Sequence, residues 1–90
     1  MANTWDEAKR RATLAERGLD FADAELVFAG THFSRAADRR DYGEDRFVTA
    51  GFLGDRFVVV VWTPREGGRR IISMRHGHDR EKARFQNWLD

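Results

Sequence analysis

The residues best suited to chemistry lie close together near the C-terminus, within residues 69–85. This segment begins as an arginine-rich β-type run and continues through His76-Gly77-His78 into a charged stretch that contains Glu81. Guanidinium groups bind phosphate oxygens through paired hydrogen bonds, whereas histidine and carboxylate side chains can transfer protons. The segment thus combines groups that bind a polyanion with groups that move a proton, and it holds two of the three histidines of the chain.

Three arginines of this segment, Arg69, Arg70 and Arg75, fall on a predicted β-strand at residues 69–75. Since side chains alternate between the faces of a strand, Arg69 and Arg75 are expected on one face and Arg70 on the other. Two interpretations of Arg75 stay open. It can clamp a phosphate or a transition state, or it can pair with a structural carboxylate.

Glu81 lies on the apolar side of a predicted C-terminal helix, together with Phe85, Trp88 and Leu89. A carboxylate at the edge of an apolar face needs a cationic partner, because an unpaired buried charge is very costly. The arginines of the preceding strand are the candidate partners. Glu81 is therefore a structural ion-pair partner, a catalytic base, or the group that orients a catalytic arginine.

Two histidines, His76 and His78, precede this helix and are candidates for general acid or base catalysis. His78 can alternatively cap the helix. A metal site is not predicted, because His32 is distant in sequence and no third ligand has a metalloenzyme spacing. The chain has no cysteine, which excludes disulfides, thiolate nucleophiles and cysteine-ligated zinc. We expect no cofactor.

The size and charge of the chain favour a macromolecular substrate. Ninety residues are expected to form one domain, residues 1–90, with a shallow surface site and no deep substrate chamber. Residues 1–45 carry 7 basic and 10 acidic side chains, whereas residues 46–90 carry 9 basic and 5 acidic ones. Neither a membrane-spanning run nor a signal peptide is recognised, so a cytoplasmic protein without membrane contact is expected.

The elements that must position these residues are an α+β set in the order α-α-β-β-β-β-α. A capping box at Thr4-Trp5-Asp6-Glu7 predicts a first helix to about Arg17, and a second, short helix is predicted between Asp20 and Gly30. Their predicted inward-facing residues are Trp5, Ala8, Ala12, Ala15, Phe21, Ala24, Val27 and Phe28. An antiparallel sheet of three to four strands follows, at residues 31–36, 46–53, 56–63 and 69–75, with a polar loop at residues 38–45 and a C-terminal helix to Leu89.

Several short motifs resemble, in order and spacing, those of the BrnT family, the toxin half of a type II toxin–antitoxin pair. The matching segments are Trp5-Asp6-Glu7-Ala8-Lys9, Gly18-Leu19-Asp20-Phe21, Val27-Phe28, Asp38-Arg39-Arg40, Gly43-Glu44-Asp45-Arg46 and Arg70-Ile71-Ile72-Ser73-Met74-Arg75 with Glu81. The resemblance implies a RelE-like ribonuclease toxin and a cognate antitoxin of the BrnA type. It also implies that operator DNA is bound only through the toxin–antitoxin complex.

The sequence departs from the family pattern at several positions. Thr13, Glu16 and Arg17 stand where asparagine, lysine and histidine are usual, and Phe85 stands where tyrosine is frequent. His76-Gly77-His78 replaces a basic-Ala-Thr segment. Because tyrosine and histidine can transfer protons, we expect His76 or His78 to substitute for the missing groups, or activity to be reduced.

The resemblance and the residues together predict a metal-independent endoribonuclease. In this prediction Arg75, helped by Arg70, stabilises the phosphorane, and Glu81 accepts the 2′-OH proton or orients Arg75. Lys9 contacts a phosphate, and one of the two histidines protonates the leaving oxygen. The residues predicted to hold RNA without sequence preference are Arg46, Arg56, Arg65 and Arg69.

Two other function classes stay open. In the first, the chain is a non-catalytic binding module whose sheet docks a partner, while Trp62 and Trp88 pack the core. In the second, it is a DNA-binding repressor, which is the less favoured class because no helix-turn-helix with a basic recognition helix is recognised.

Overall fold

A computed structural model of the chain describes residues 2–37 and 43–89, so the first five residues of the predicted polar loop lie outside it. The elements in chain order are β1 (Ala2–Trp5), α1 (Glu7–Arg17), a 3-10 turn (Phe21–Asp23), α2 (Ala24–Ala29), β2 (His32–Ala36), β3 (Phe47–Leu53), β4 (Arg56–Arg65), β5 (Gly68–His76) and α3 (Asp79–Leu89). The predicted α+β class is confirmed. Within the described part of the chain, no helix is long and apolar enough to cross a membrane.

The five strands form one mixed sheet in the order β1-β5-β4-β3-β2. β2 to β5 are antiparallel neighbours, as predicted for these four strands, but β1 runs parallel to β5 and pairs with residues 68–71. The prediction of a purely antiparallel sheet of three to four strands was therefore wrong. So was the prediction that Thr4 caps the first helix: the N-cap is Asp6, because residues 2–5 satisfy their backbone groups in the sheet.

One face of the sheet, called the α2 face, packs against α2 and the 3-10 turn. Its core consists of Leu19, Phe21, Ala24, Val27, Leu53, Val58, Val60, Ile71 and Met74. The predicted inward side of the second helix is confirmed at Phe21, Ala24 and Val27, which are fully buried. The predicted apolar stripe of the first helix was wrong at Ala8, Ala12 and Ala15, because α1 buries no residue. Its remaining member, Trp5, lies in β1 and packs partly buried against this core.

Polar contacts, and not an apolar stripe, attach α1 to the rest of the fold. Arg10 Nε lies 2.8 Å from Asp20 Oδ1, and Arg17 Nη1 donates a 2.8 Å hydrogen bond to the carbonyl oxygen of Met74. Both arginines reach from α1 to other elements of the fold. The helix is therefore fixed by guanidinium groups, and its alanines remain exposed.

The opposite face of the sheet, called the α3 face, carries a smaller core of Phe57, Val59 and Phe85, with Phe33, Val48, Ala50 and Phe52 around it. Phe85 of α3 is buried, as predicted for the inward side of that helix. Trp88 is not: 57% of it is exposed, although its ring lies 4.2 Å from that of Phe33. The prediction that Trp88 packs the core was therefore wrong, whereas Trp62 does pack against the α2-face core.

A β-bulge in β5 decides which arginines share a face. Val61 pairs with Ser73 and Trp62 pairs with Ile71, so Ile72 is an extra residue in the ladder. The extra residue inverts the alternation, and Arg70 therefore lies on the α3 face with Arg75. Arg69 lies on the α2 face. This placement reverses the prediction from strict alternation.

Candidate active site on the α3 face of the sheet

The centre of the site is a two-pronged ion pair between Arg75 and Glu81. Arg75 Nη1 lies 2.8 Å from Glu81 Oε1, and Nη2 lies 2.9 Å from Oε2. Arg75 stands near the end of β5 and Glu81 in the first turn of α3, so the short connection between these elements brings the two groups together. Of the candidate arginines of the preceding strand, Arg75 is the one that pairs with the carboxylate.

Helix geometry fixes the carboxylate as well. The backbone N–H of His78 donates a 2.9 Å hydrogen bond to Glu81 Oε1. A glutamate at the third helical position that reaches back to the N-cap N–H is half of a capping box. Glu81 is thus held from two sides, by the end of a strand and by the start of a helix.

These contacts keep Glu81 ionised. The hydrogen bonds from Arg75, and after it from the His78 N–H, lower the pKa of Glu81 to about 2. In turn, the carboxylate raises the pKa of Arg75. The side chains remain 39% and 36% exposed, so a substrate can reach the pair from solvent.

Arg70 lies on the same face with an unengaged guanidinium. Its ladder partner Thr63 is four residues from Val59, the partner of Arg75, which places the two arginines about 13 Å apart along the sheet. Over residues 2–37 and 43–89, no hydrogen bond or ion pair of the Arg70 side chain is found. Two cations this far apart on one face can contact different phosphates of a bound strand.

The structure separates the two candidate histidines. His78 Nε2 lies 4.0 Å from Glu81 Oε1, and its side chain is 79% exposed. His76 pairs with Val58, whose side chain belongs to the α2-face core, so His76 lies on the other face of the sheet. Of the two, the site contains His78.

Lys9 is not joined to this centre by any contact that the described residues show. It is exposed on α1, and neither a hydrogen bond nor an ion pair links it to Arg75 or Glu81 in that part of the chain. Its predicted role thus gains no support from the geometry.

The four arginines predicted to hold RNA do not form one surface. Arg46 Nε and Arg65 Nη2 each lie 3.3 Å from a carboxylate oxygen of Glu44. Arg56 and Arg69 lie on the α2 face: Arg56 donates a 3.1 Å hydrogen bond to the carbonyl oxygen of Gly18, and Arg69 stacks on the ring of Phe28. Burial lowers the pKa of Arg69.

Sequence reasoning missed a cleft of about 290 Å³ between α3 and the sheet, which Glu81 also lines. Two of its lining residues are Arg35 of β2 and Arg84 of α3. They are far apart in sequence, and no local motif connects them. Only the packing of α3 across the antiparallel strands brings them to one place.

The described residues contain no cluster of three or more histidine, cysteine, aspartate or glutamate side chains that could hold a metal ion. The site contains the Arg75 guanidinium, the Glu81 carboxylate that holds it, and the exposed imidazole of His78. It also contains the guanidinium of Arg70, with which no described residue forms an ion pair. This set can bind a phosphodiester, stabilise charge on it and exchange a proton.

Comparison with known proteins gives one finding. A family model described as ribonuclease toxin, BrnT, of type II toxin–antitoxin systems matches residues 5–81. The match includes Lys9, Arg70, Arg75 and Glu81, and it ends before Arg84, Phe85 and Trp88 of α3. No curated protein matches the chain.

Proposed function

This chain belongs to the BrnT family of ribonuclease toxins of type II toxin–antitoxin systems, and on that premise we propose that it is a metal-independent endoribonuclease centred on Arg75 and Glu81. The observation that carries the proposal is the two-pronged ion pair on the α3 face, which is partly exposed. Arg70 lies on the same face, and none of the residues that the structure describes forms an ion pair with it. The exposure leaves the pair accessible to an RNA phosphate, and Arg70 adds a second cation on the same face.

Arg75 has donors left for a substrate. A guanidinium has five N–H groups, and those of Arg75 bind both Glu81 oxygens and, at 3.3 Å, the carbonyl oxygen of His76. The Nε–H and one Nη2–H are not used by any described residue. Aimed at a phosphorane oxygen, such preorganised donors stabilise the charge that develops in the transition state.

Glu81 is better suited to orient Arg75 than to act as a base. Its oxygens are already engaged, and a carboxylate whose pKa is about 2 has little affinity for the 2′-OH proton at neutral pH. The carboxylate therefore holds the guanidinium plane in position. Of the three roles that the sequence left open for Glu81, we assign the orientation of a catalytic arginine.

His78 is the proposed proton donor, because it lies beside the ion pair and an imidazole can exchange protons near neutral pH. In the reaction the 2′-oxygen bonds to phosphorus, the bond from phosphorus to the 5′-oxygen breaks, and His78 protonates that oxygen. The 2′-OH proton passes to water. The products are a 2′,3′-cyclic phosphate and a 5′-hydroxyl.

The biological part of the proposal follows from family membership. Cleavage of cellular RNA would inhibit translation and growth, and a cognate antitoxin of the BrnA type would neutralise the toxin. Operator DNA would be contacted only by the complex of the two proteins. The description of the family as one half of a toxin–antitoxin system supports a dedicated protein partner.

The test is incubation of the purified protein with a long RNA in EDTA, followed by analysis of the new ends. Cyclic phosphate and 5′-hydroxyl ends are expected, and the addition of magnesium should not be required. Loss of cleavage in EDTA, or 5′-phosphate ends, would contradict the proposed mechanism.

A further inference from the structure

The cleft beside Glu81 is an apolar slot with an aromatic mouth. Val48, Ala50 and Val59 of the sheet line it, and Phe33, Phe85 and Trp88 contribute rings. Its volume of about 290 Å³ is at the low end for small-ligand sites, which begin at about 300 Å³. A space of this size suits one planar ring system better than a peptide helix.

Trp88 marks the slot as a binding surface. It is 57% exposed, and its ring is tilted 53° to that of Phe33. Among the described residues, it contributes nothing to either core cluster. A large aromatic side chain left in water at the mouth of an apolar cleft offers a stacking surface.

The charges around the slot favour an anionic ligand. Arg35 and Arg84 line it, and neither has a hydrogen bond or ion pair within the described segments. Among the described residues of the lining, Glu81 is the only acidic one, and Arg75 already matches its charge. The free charge at the slot is therefore positive, whereas the slot itself is apolar. A nucleotide has the complementary character, with an aromatic base and a phosphate.

We propose that this slot holds a nucleobase of the RNA next to the scissile phosphate, with Trp88 as its stacking partner and Arg84 or Arg35 on an adjacent phosphate. The inference rests on the proposed ribonuclease function. Glu81 connects the two sites, because it lines the slot and also fixes Arg75. A base seated there would place its own phosphate within reach of Arg75. Of the α3 residues that line the slot, Arg84, Phe85 and Trp88 lie beyond the range of the family match, whereas Glu81 is its last residue.

The experiment separates binding from cleavage. Short 2′-O-methyl homo-oligonucleotides of each base, which lack the attacking 2′-OH, are titrated against the wild type, Trp88→Ala and Trp88→Phe. Trp88→Ala should bind the preferred oligonucleotide roughly tenfold more weakly, whereas Trp88→Phe should stay within about threefold of the wild type. Because Trp88 is mostly exposed, both variants should remain folded, which thermal unfolding checks.

In cleavage assays, Trp88→Ala should raise KM and leave kcat nearly unchanged, since stacking acts in the bound substrate and the transition state alike.

The outcomes for the slot and for the proposed catalytic function can be told apart. If all RNA cleavage is absent but the tenfold loss of oligonucleotide binding is found, the slot inference holds and the proposed catalytic function fails. If cleavage occurs and Trp88→Ala binds oligonucleotides like the wild type, the slot inference fails alone. Loss of antitoxin binding by Trp88→Ala with unchanged oligonucleotide binding would also overturn it, because the slot would then dock a protein.

Discussion

Replacement of Glu81 by glutamine separates an orienting carboxylate from a catalytic base. Glutamine keeps the shape of the side chain but loses the charge, and its NH₂ group cannot accept the second N–H of Arg75. A charge-assisted hydrogen bond contributes about 1.5–3 kcal/mol. Since the side chains of Arg75 and Glu81 are 39% and 36% exposed, solvent screening reduces the contribution of this hydrogen bond to about 1 kcal/mol.

About 1 kcal/mol of lost orientation corresponds to a roughly fivefold slower reaction. Loss of a general base would cost roughly a hundredfold to ten-thousandfold. The assay is the single-turnover cleavage rate of Glu81→Gln beside the wild type, with Glu16→Gln, an exposed glutamate of α1, as the matched control. A loss of about a hundredfold or more at neutral pH would refute the orienting role.

The pH dependence of Glu81→Gln gives a second readout. Folding lowers the pKa of Glu81 from 4.5 to about 2. The ion pair therefore contributes its full stabilisation at pH values above the pKa that Glu81 has in the unfolded chain. That stabilisation is lost as the pH falls through the folded-state value. The stability difference between wild type and variant should thus be constant above about pH 5 and shrink below it. Within the neutral pH range, the cleavage rates of the wild type and of Glu81→Gln should depend on pH in the same way. If only the wild-type rate fell as the pH was lowered through that range, the orienting role of Glu81 would be contradicted.

Three further predictions concern the sheet and Arg70. In Gly68→Ala the new Cβ would overlap the carbonyl oxygen of Ala2, so β1 should be displaced and the free energy of unfolding should fall by about 1–3 kcal/mol, measured by thermal unfolding. Thr49→Val removes the buried acceptor of a 2.8 Å hydrogen bond from Trp62 Nε1, which should cost about 1–3 kcal/mol in chemical denaturation. Arg70→Ala should reduce the slope of log affinity against log salt for single-stranded RNA by about 0.7, the value for one lost phosphate contact.

Each of these predictions has a matched control. Gly30→Ala places its Cβ at an ordinary 3.7 Å from the nearest atom and should change the unfolding temperature little; equal effects of the two alanines would contradict the proposed clash. Ser34→Ala leaves the Trp62 bond intact and should cost less than Thr49→Val. Arg11→Ala, which removes a 77% exposed side chain of α1, should keep the wild-type salt slope. An unchanged slope in Arg70→Ala would exclude a phosphate contact there.

Local sequence signals predicted the parts of the fold that local physics controls. The strand predicted at residues 56–63, which is observed as β4, and the inward side of α2 are each specified within a few neighbouring residues. The ion pair between an arginine of β5 and Glu81 could also be predicted, because a carboxylate on an apolar helix face is stable only with a cation nearby. These predictions depended on periodicity and on the cost of an unpaired charge.

Long-range pairing set the features that the sequence did not reveal. β1 forms only because the distant β5 offers a parallel partner, and the capping box at Thr4 gave the competing local signal. The bulge at Ile72 has no glycine or other marker in the sequence, yet it places Arg70 on the same face as Arg75 and Arg69 on the opposite face. The cleft likewise depends on how α3 crosses the sheet, which no single segment encodes.

The most direct test of the central claim is the single-turnover cleavage rate of a labelled RNA in EDTA by Arg75→Ala and by the control Arg11→Ala. Arg75 is proposed to stabilise the phosphorane, and removal of one such donor typically costs about 2.7–4 kcal/mol, or roughly a hundredfold to a thousandfold in rate. Arg75→Ala should therefore be slower by that factor, and Arg11→Ala should match the wild type. Equal rates for the wild type and Arg75→Ala would contradict an active site built on the Arg75–Glu81 pair.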